Sequence, residues 1–201
     1  MGFGMLRVLN DDWVAPGMGF GTHPHQNMEI ISIPISGTLE HKDSMGTVSV
    51  IEAGDIQVMS AGTGIHHSEI NKSKKEPVSF LQIWVIPEEQ DVEPRYQQLK
   101  LAELLKPNEL SQVLSPNEGD PGVWIHQQAY FSMGRFNQET ATAYPLKNPE
   151  HGVYLFVLEG QVSIEGKTLG RRDAAAISNA ESIAFTATDK TEVLLMEIPI
   201  R

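Results

Sequence analysis

The sequence predicts an all-β protein, on three observations: apolar and polar residues alternate over short stretches, turn-forming residues are frequent, and helix candidates are few. The 201 residues include 17 Gly and 12 Pro. Punctuation at that density suits many short strands joined by turns rather than long helices.

Taken in order, Met5 to Leu9, Met28 to Ile35, Thr47 to Ile51, Ile56 to Met59 and Phe80 to Ile86 read as strands, each bounded by Gly, Pro, Asn or Asp. The best helix candidate is Arg95 to Leu105, opened by Pro94 and closed by Pro107, with Leu99, Leu101, Leu104 and Leu105 on an approximate apolar face. Ser115 to Gly122 is polar and turn-rich and reads as a loop. The expected organisation is therefore a first domain over 1–95, a helix and linker over 96–120, and a second domain over 121–201. Within the latter, Val193 to Met196 is expected as a core strand. The halves look like diverged copies. Ile33 to Glu40 overlays Phe156 to Ser163 as strand, Gly turn and returning strand, and Gly54 to Ser60 matches Arg172 to Ser178 in pattern.

Composition excludes several functions. With no Cys, the chain has no disulfide framework, thiolate zinc site, iron–sulfur cluster or cysteine nucleophile, so a metal must sit on His and carboxylates. Fifteen Lys+Arg against 26 Asp+Glu leave a net charge of -11 and no basic cluster. That argues against direct nucleic-acid or anionic-membrane binding. No apolar run reaches the ~20 residues of a membrane span, and the first stretch lacks the pattern of a signal peptide. The expectation is a soluble, cytoplasmic protein. Gly17, Gly19 and Gly21 precede no helix and do not form a dinucleotide fingerprint.

Five of the seven His fall between residues 23 and 67, four of them as two close pairs. His23 and His25 are two apart, and on a strand residues i and i+2 share a face. By the same rule His67 and Glu69 share a face, while His66 and Ser68 point oppositely. Two such strands meeting inside a barrel would offer three imidazoles and one carboxylate to a single point. That donor set suits Fe, Mn, Co, Ni, Cu or Zn. His41 is expected to be exposed in a hairpin, Trp84 to be core, and His126 and His151 to lie in a second half without paired ligand spacing.

Gly17, five residues, His23-x-His25 and then Glu29 resemble the first cupin motif, with Gly37 closing it one residue late. Gly54, Ser60-Ala61-Gly62, His67 and Asn71 approximate the second, with Ser60 for the usual Pro and two extra residues before His67. The runs GFGTHPHQNMEI and SAGTGIHHSEIN, with QIWVIPEE and then PRY, resemble the pirin family, which includes bacterial quercetinases. The resemblance implies a bicupin of two double-stranded β-helix (jelly-roll) barrels, the first holding one divalent transition metal, Fe2+ foremost, with Mn, Co, Ni, Cu or Zn as alternatives. Carried over by motif position, its ligands are His23, His25, His67 and Glu69. In most cupins the ligand carboxylate would be Glu29; the pirin pattern moves it to Glu69. Pirins usually carry a segment before the residues matching MGFG, so the resemblance also implies a missing edge strand or brace.

The activity implied is cleavage of a flavonol's central ring by O2 with release of carbon monoxide, Glu69 remaining a ligand or accepting the enol proton. The competing expectation is a metal- or redox-sensing regulator whose acidic surface docks a protein partner. A third is another cupin reaction, such as isomerisation or a different dioxygenation.

Overall fold

The structure is a computed structural model and describes residues 2–200. Nineteen strands and one 3-10 turn make up its regular structure among those residues. They divide into two compact units. The first unit is built from Leu6–Glu103 and Val123–Gln127, the second from Phe3–Met5, Leu104–Gly122 and the residues from Gln128 onward.

The first unit contains β1 (Leu6–Val14), β2 (Gly19–His25), β3 (Glu29–Ser36), β4 (Thr38–Asp43), β5 (Val48–Glu52), β6 (Asp55–Ser60), β7 (Ile65–Ile70), β8 (Val78–Val85) and β9 (Arg95–Lys100). β10 (Leu110–Ser115) belongs to the second unit, whereas the two-residue β11 (Val123–Trp124) belongs to the first. One sheet of the first unit runs β1-β8-β3-β6-β9 and the other β2-β7-β4-β5. Side chains meet between them: Phe20 packs edge-on to Phe80, and Ser49 donates to Gln98 at 2.7 Å. The inner faces of the two sheets therefore enclose a barrel interior. The central strands β3, β6 and β8 are buried on both faces, which explains their near-continuous runs of apolar residues. Pro34 fits such a strand because the β3–β6 ladder ends at Ser32, so its missing N–H breaks no rung there.

The helix expected over Arg95 to Leu105 does not form. Arg95–Lys100 is strand β9, paired with β6 from Ser60↔Arg95 to Asp55↔Lys100, and only Leu101–Glu103 turns as 3-10 helix. A helix of about eleven residues is marginal without a well-packed apolar face, and here six ladder positions on β6 compete with it. The approximate leucine face was too weak to win.

The second unit continues with β12 (Tyr130–Phe136), β13 (Thr140–Pro145), β14 (His151–Glu159), β15 (Val162–Ile164), β16 (Lys167–Leu169), β17 (Ala174–Ile177), β18 (Ser182–Ala187) and β19 (Thr191–Pro199). Within it one sheet runs β10-β12-β19-β14-β17 and the other β13-β18-β15-β16. Four strands of each sheet correspond in order, β1-β8-β3-β6 with β12-β19-β14-β17 and β2-β7-β4-β5 with β13-β18-β15-β16, while β9 and β10 extend the larger sheets at opposite ends. Gly37 and Gly160 sit at equivalent turns with φ of 75° and 78°, a region costly for any side chain. The expected core strand Val193 to Met196 lies in β19 and is fully buried. Its neighbours Phe136, Leu155 and Phe185 join it in the main core of this unit. At the position equivalent to β7, β18 turns Ile183 and Phe185 into that core. The second unit thus fills with hydrocarbon where the first carries polar groups. Among the described residues no helix is long and apolar enough to cross a membrane.

Candidate metal centre

Strand register assembles the site. β7 lies between β2 and β4, with His23 opposite His67 on one side and Asp43 opposite His67 on the other. One step along, Glu69 faces Phe20 and His41. Paired residues in a ladder project to the same side of the sheet, so His23, His25, His67, Glu69, His41 and Asp43 form one polar bank inside the barrel. His66 takes the opposite parity and is exposed, as expected.

The three imidazoles His23, His25 and His67 converge. Nε2 of His23 lies 3.1 Å from Nε2 of His67. Ring centroids are 4.5 Å apart for His23 and His67, 4.8 Å for His23 and His25, and 5.0 Å for His25 and His67. His23 Nδ1 lies 2.7 Å from the Gly21 carbonyl, which as an acceptor fixes the ring proton on Nδ1 and leaves Nε2 as a lone pair. His25 Nε2 is buried with no hydrogen-bond partner. One potential ligand atom from each ring lies within 4.8 Å of the others. A buried lone pair without a donor, beside two others, fits a cation better than any protein group present.

Burial, reinforced by the neighbouring imidazoles, lowers His67 to about 3. Burial and then His23 lower His25 to about 4. Both rings are neutral near pH 7 and present lone pairs without competition from protons.

Glu69 is fully buried and adjoins this group through His67, its carboxylate lying within 4.8 Å of ring nitrogens of His67 and His41. Ser32 donates to Oε1 at 3.0 Å and Gln82 donates to Oε2. Burial raises the Glu69 carboxyl above the ordinary range, against the lowering effect of these two donors and of His23. Glu29 lies elsewhere. It pairs with Ser60 on the opposite parity of β3 from Ser32, so it faces away from the imidazoles. There Ser60 donates to it at 2.6 Å, and burial pushes it up to about 7 despite Ser60 and Arg95.

Two neighbours escaped the sequence. His41, expected to be exposed, is fully buried, with its ring 5.4 Å from His67 and 4.8 Å from Tyr96. The β4–β7 ladder carries it inward; the alternation of Leu39, His41 and Asp43 with the charged Glu40 and Lys42 was the available signal. Tyr96, placed in the expected helix, instead comes from β9 and donates to Gln98 at 2.8 Å. Burial raises its phenol to about 12. Trp84 packs on the Ile30, Met59 and Ile65 cluster, as expected of a core residue, and also meets His25 edge-on at 5.1 Å. His126 lies beside Trp124, and His151 is buried against Glu197 at 3.0 Å.

Comparison with known proteins gives this geometry a family. The Pirin model matches residues 2–85, and a model described as quercetinase C-terminal cupin domain matches 112–198. The chain is 40% identical over 199 residues to quercetin 2,3-dioxygenase of Escherichia coli K12, spanning 99% of this chain and 84% of that protein. It is 36% identical to a putative quercetin 2,3-dioxygenase of Pasteurella multocida, spanning 98% and 83%. Among solved structures, the bacterial pirin YhhW of Escherichia coli in complex with nickel(II) superposes with a TM-score of 0.93 at 39% identity, covering all of this chain and 85% of the other. The sequence motifs, the paired barrels and these matches agree: the chain belongs to the pirin family.

Proposed function

We propose that the protein is a mononuclear metal-dependent dioxygenase of the quercetinase type, cleaving the central ring of a flavonol with O2. The observation that carries this is the convergence of His23, His25 and His67 on one face of paired strands, beside the buried Glu69. Similarity to proteins named quercetin 2,3-dioxygenase supplies the substrate class.

His23, His25 and His67 would hold one divalent transition metal, with Glu69 completing the set. Iron is the family expectation, and nickel is the ion that a similar structure holds. When bound, the ion supplies Lewis acidity and a template for substrate and O2. The chain's own residues do the rest. The Gly21 carbonyl orients His23, and Ser32 with Gln82 aims the Glu69 carboxylate. A carboxyl held above its ordinary range is suited to accept the proton of a substrate enol when that group comes within hydrogen-bond reach. Trp84, edge-on to His25 and partly buried, offers an apolar wall for an aromatic ligand.

The test is anaerobic addition of quercetin to protein loaded separately with Fe, Mn, Co, Ni or Cu, followed by oxygen. Flavonol absorbance should then decay with stoichiometric release of carbon monoxide. Unchanged absorbance with every metal, in protein shown by elemental analysis to be loaded, would overturn the assignment.

A further inference from the structure

The inner face of β4 carries two side chains that the mechanism above leaves unused. His41 and Asp43 are both wholly buried, and His41 Nε2 lies 2.9 Å from Asp43 Oδ2. The other carboxylate oxygen, Oδ1, accepts the backbone N–H groups of Met45 at 2.9 Å and Thr47 at 3.0 Å. The turn after β4 therefore clamps Asp43 in one orientation. A carboxylate only accepts, so the proton between the two groups belongs to His41 Nε2, and His41 Nδ1 is left as an acceptor.

That Nδ1 is buried without a partner, and so is Nδ1 of His67. The two rings are neighbours, with centroids 5.4 Å apart. A direct ring-to-ring N–H···N bond places centroids about 5 Å apart, close to the spacing of these two rings. Tyr96, tilted against it with centroids 4.8 Å apart, backs the His41 ring. The chemistry is complementary. His67 Nε2 faces His23, and an imidazole that keeps Nε2 as its lone pair carries its proton on Nδ1. A donor thus meets an acceptor where the structure leaves two buried nitrogens unpaired. Metal-binding histidines commonly hand their second N–H to such an outer partner.

We propose that His41, held by Asp43, is a positioning residue that accepts the Nδ1–H of His67 and so fixes His67 in the tautomer whose Nε2 points at His23 and His25. The inference rests on the reading of His67 as a metal ligand. It extends that site by a chain from Asp43 through His41 to His67, all on the inner face of β4 and β7.

The experiment uses full-length protein with 15N-labelled histidine, metal-free and loaded with Zn2+. Long-range proton–nitrogen spectra should show His67 protonated on Nδ1 and His41 protonated on Nε2 in the zinc-loaded state. Chelator competition should show Zn2+ affinity falling about 10- to 100-fold in His41→Phe, which keeps a ring against Tyr96, and largely recovering in His41→Gln, whose amide oxygen restores an acceptor. Retention of affinity within about twofold in folded His41→Phe would overturn the inference. So would zinc-loaded wild-type spectra with His67 protonated on Nε2 or with a His41 nitrogen at the shift of a zinc-bound nitrogen, and these need no variant to fold. Failure of the underlying reading looks different: folded wild-type protein would then take up no Zn2+ at all.

Discussion

His23 and His67 face each other across the β2–β7 ladder with their Nε2 atoms 3.1 Å apart. No protein group other than a shared proton mediates two such nitrogens at that distance, and with His25 beside them the arrangement is poised for a cation. Four expectations follow from this and from the surrounding packing.

Replacing His67 by Ala should reduce retained metal by more than about 100-fold, beyond the loss typical of outer-sphere partners alone. His66→Ala, one residue away on the exposed face, should leave metal content unchanged. Elemental analysis of the two purified variants beside the wild type reads this directly; equal metal in both would remove His67 from the site.

Acid should destabilise the metal-free protein through these rings. In the folded chain His67 titrates at about 3 and His25 at about 4, against an ordinary 6.5. Between those values the unfolded chain binds protons that the folded chain refuses. Stability is therefore undiminished above about 6.5 and falls as pH drops toward 3. Urea midpoints of apo protein should decline across that window, and His67→Asn should decline less steeply. Parallel curves would argue against neutral buried rings.

Glu29 has the opposite sign. Its folded value of about 7 lies above the ordinary 4.5, so its carboxyl is protonated in the folded protein where the unfolded chain is ionised, and it costs stability as pH rises through that interval. Glu29→Gln, a neutral isostere, should raise the melting temperature near pH 8 and have little effect near pH 5. A gain of equal size at both pH values would show that titration is not the cause.

Leu195 is fully buried in the main core of the second unit. Leu195→Ala should cost about 2–5 kcal/mol by loss of transfer energy and the cavity left behind. The denaturant midpoint should fall without a change of slope, and the metal content should stay as in the wild type. Loss of metal with this variant would mean that the imidazole site depends on the packing of the second unit.

The legible parts of this protein were those governed by a local period. Short apolar or alternating stretches bounded by turn residues marked β1, β3, β5, β6 and β8, alternation being the signal only where one face is exposed. The same period placed His23 with His25 and His67 with Glu69 and sent His66 outward. Arg95 to Leu105 failed because local pattern is ambiguous there. Its leucines tolerate a helix, and only the β6 edge, some forty residues earlier in the chain, draws Arg95–Lys100 into a sheet. His41 failed for a related reason: its parity was visible, but which face of β4 is the inside depends on β7 lying beside it.

By itself, then, the sequence determined the all-β class, some of the strand positions and the pairs of side chains that share a face. Tertiary structure alone decided which pairs meet. It set β7 between β2 and β4, brought His67 opposite His23, and turned Glu69 inward and Glu29 outward. The physical reason is that face parity is a property of one strand's backbone. Strand partnership and register are non-local, being set by how two sheets bury their apolar faces together.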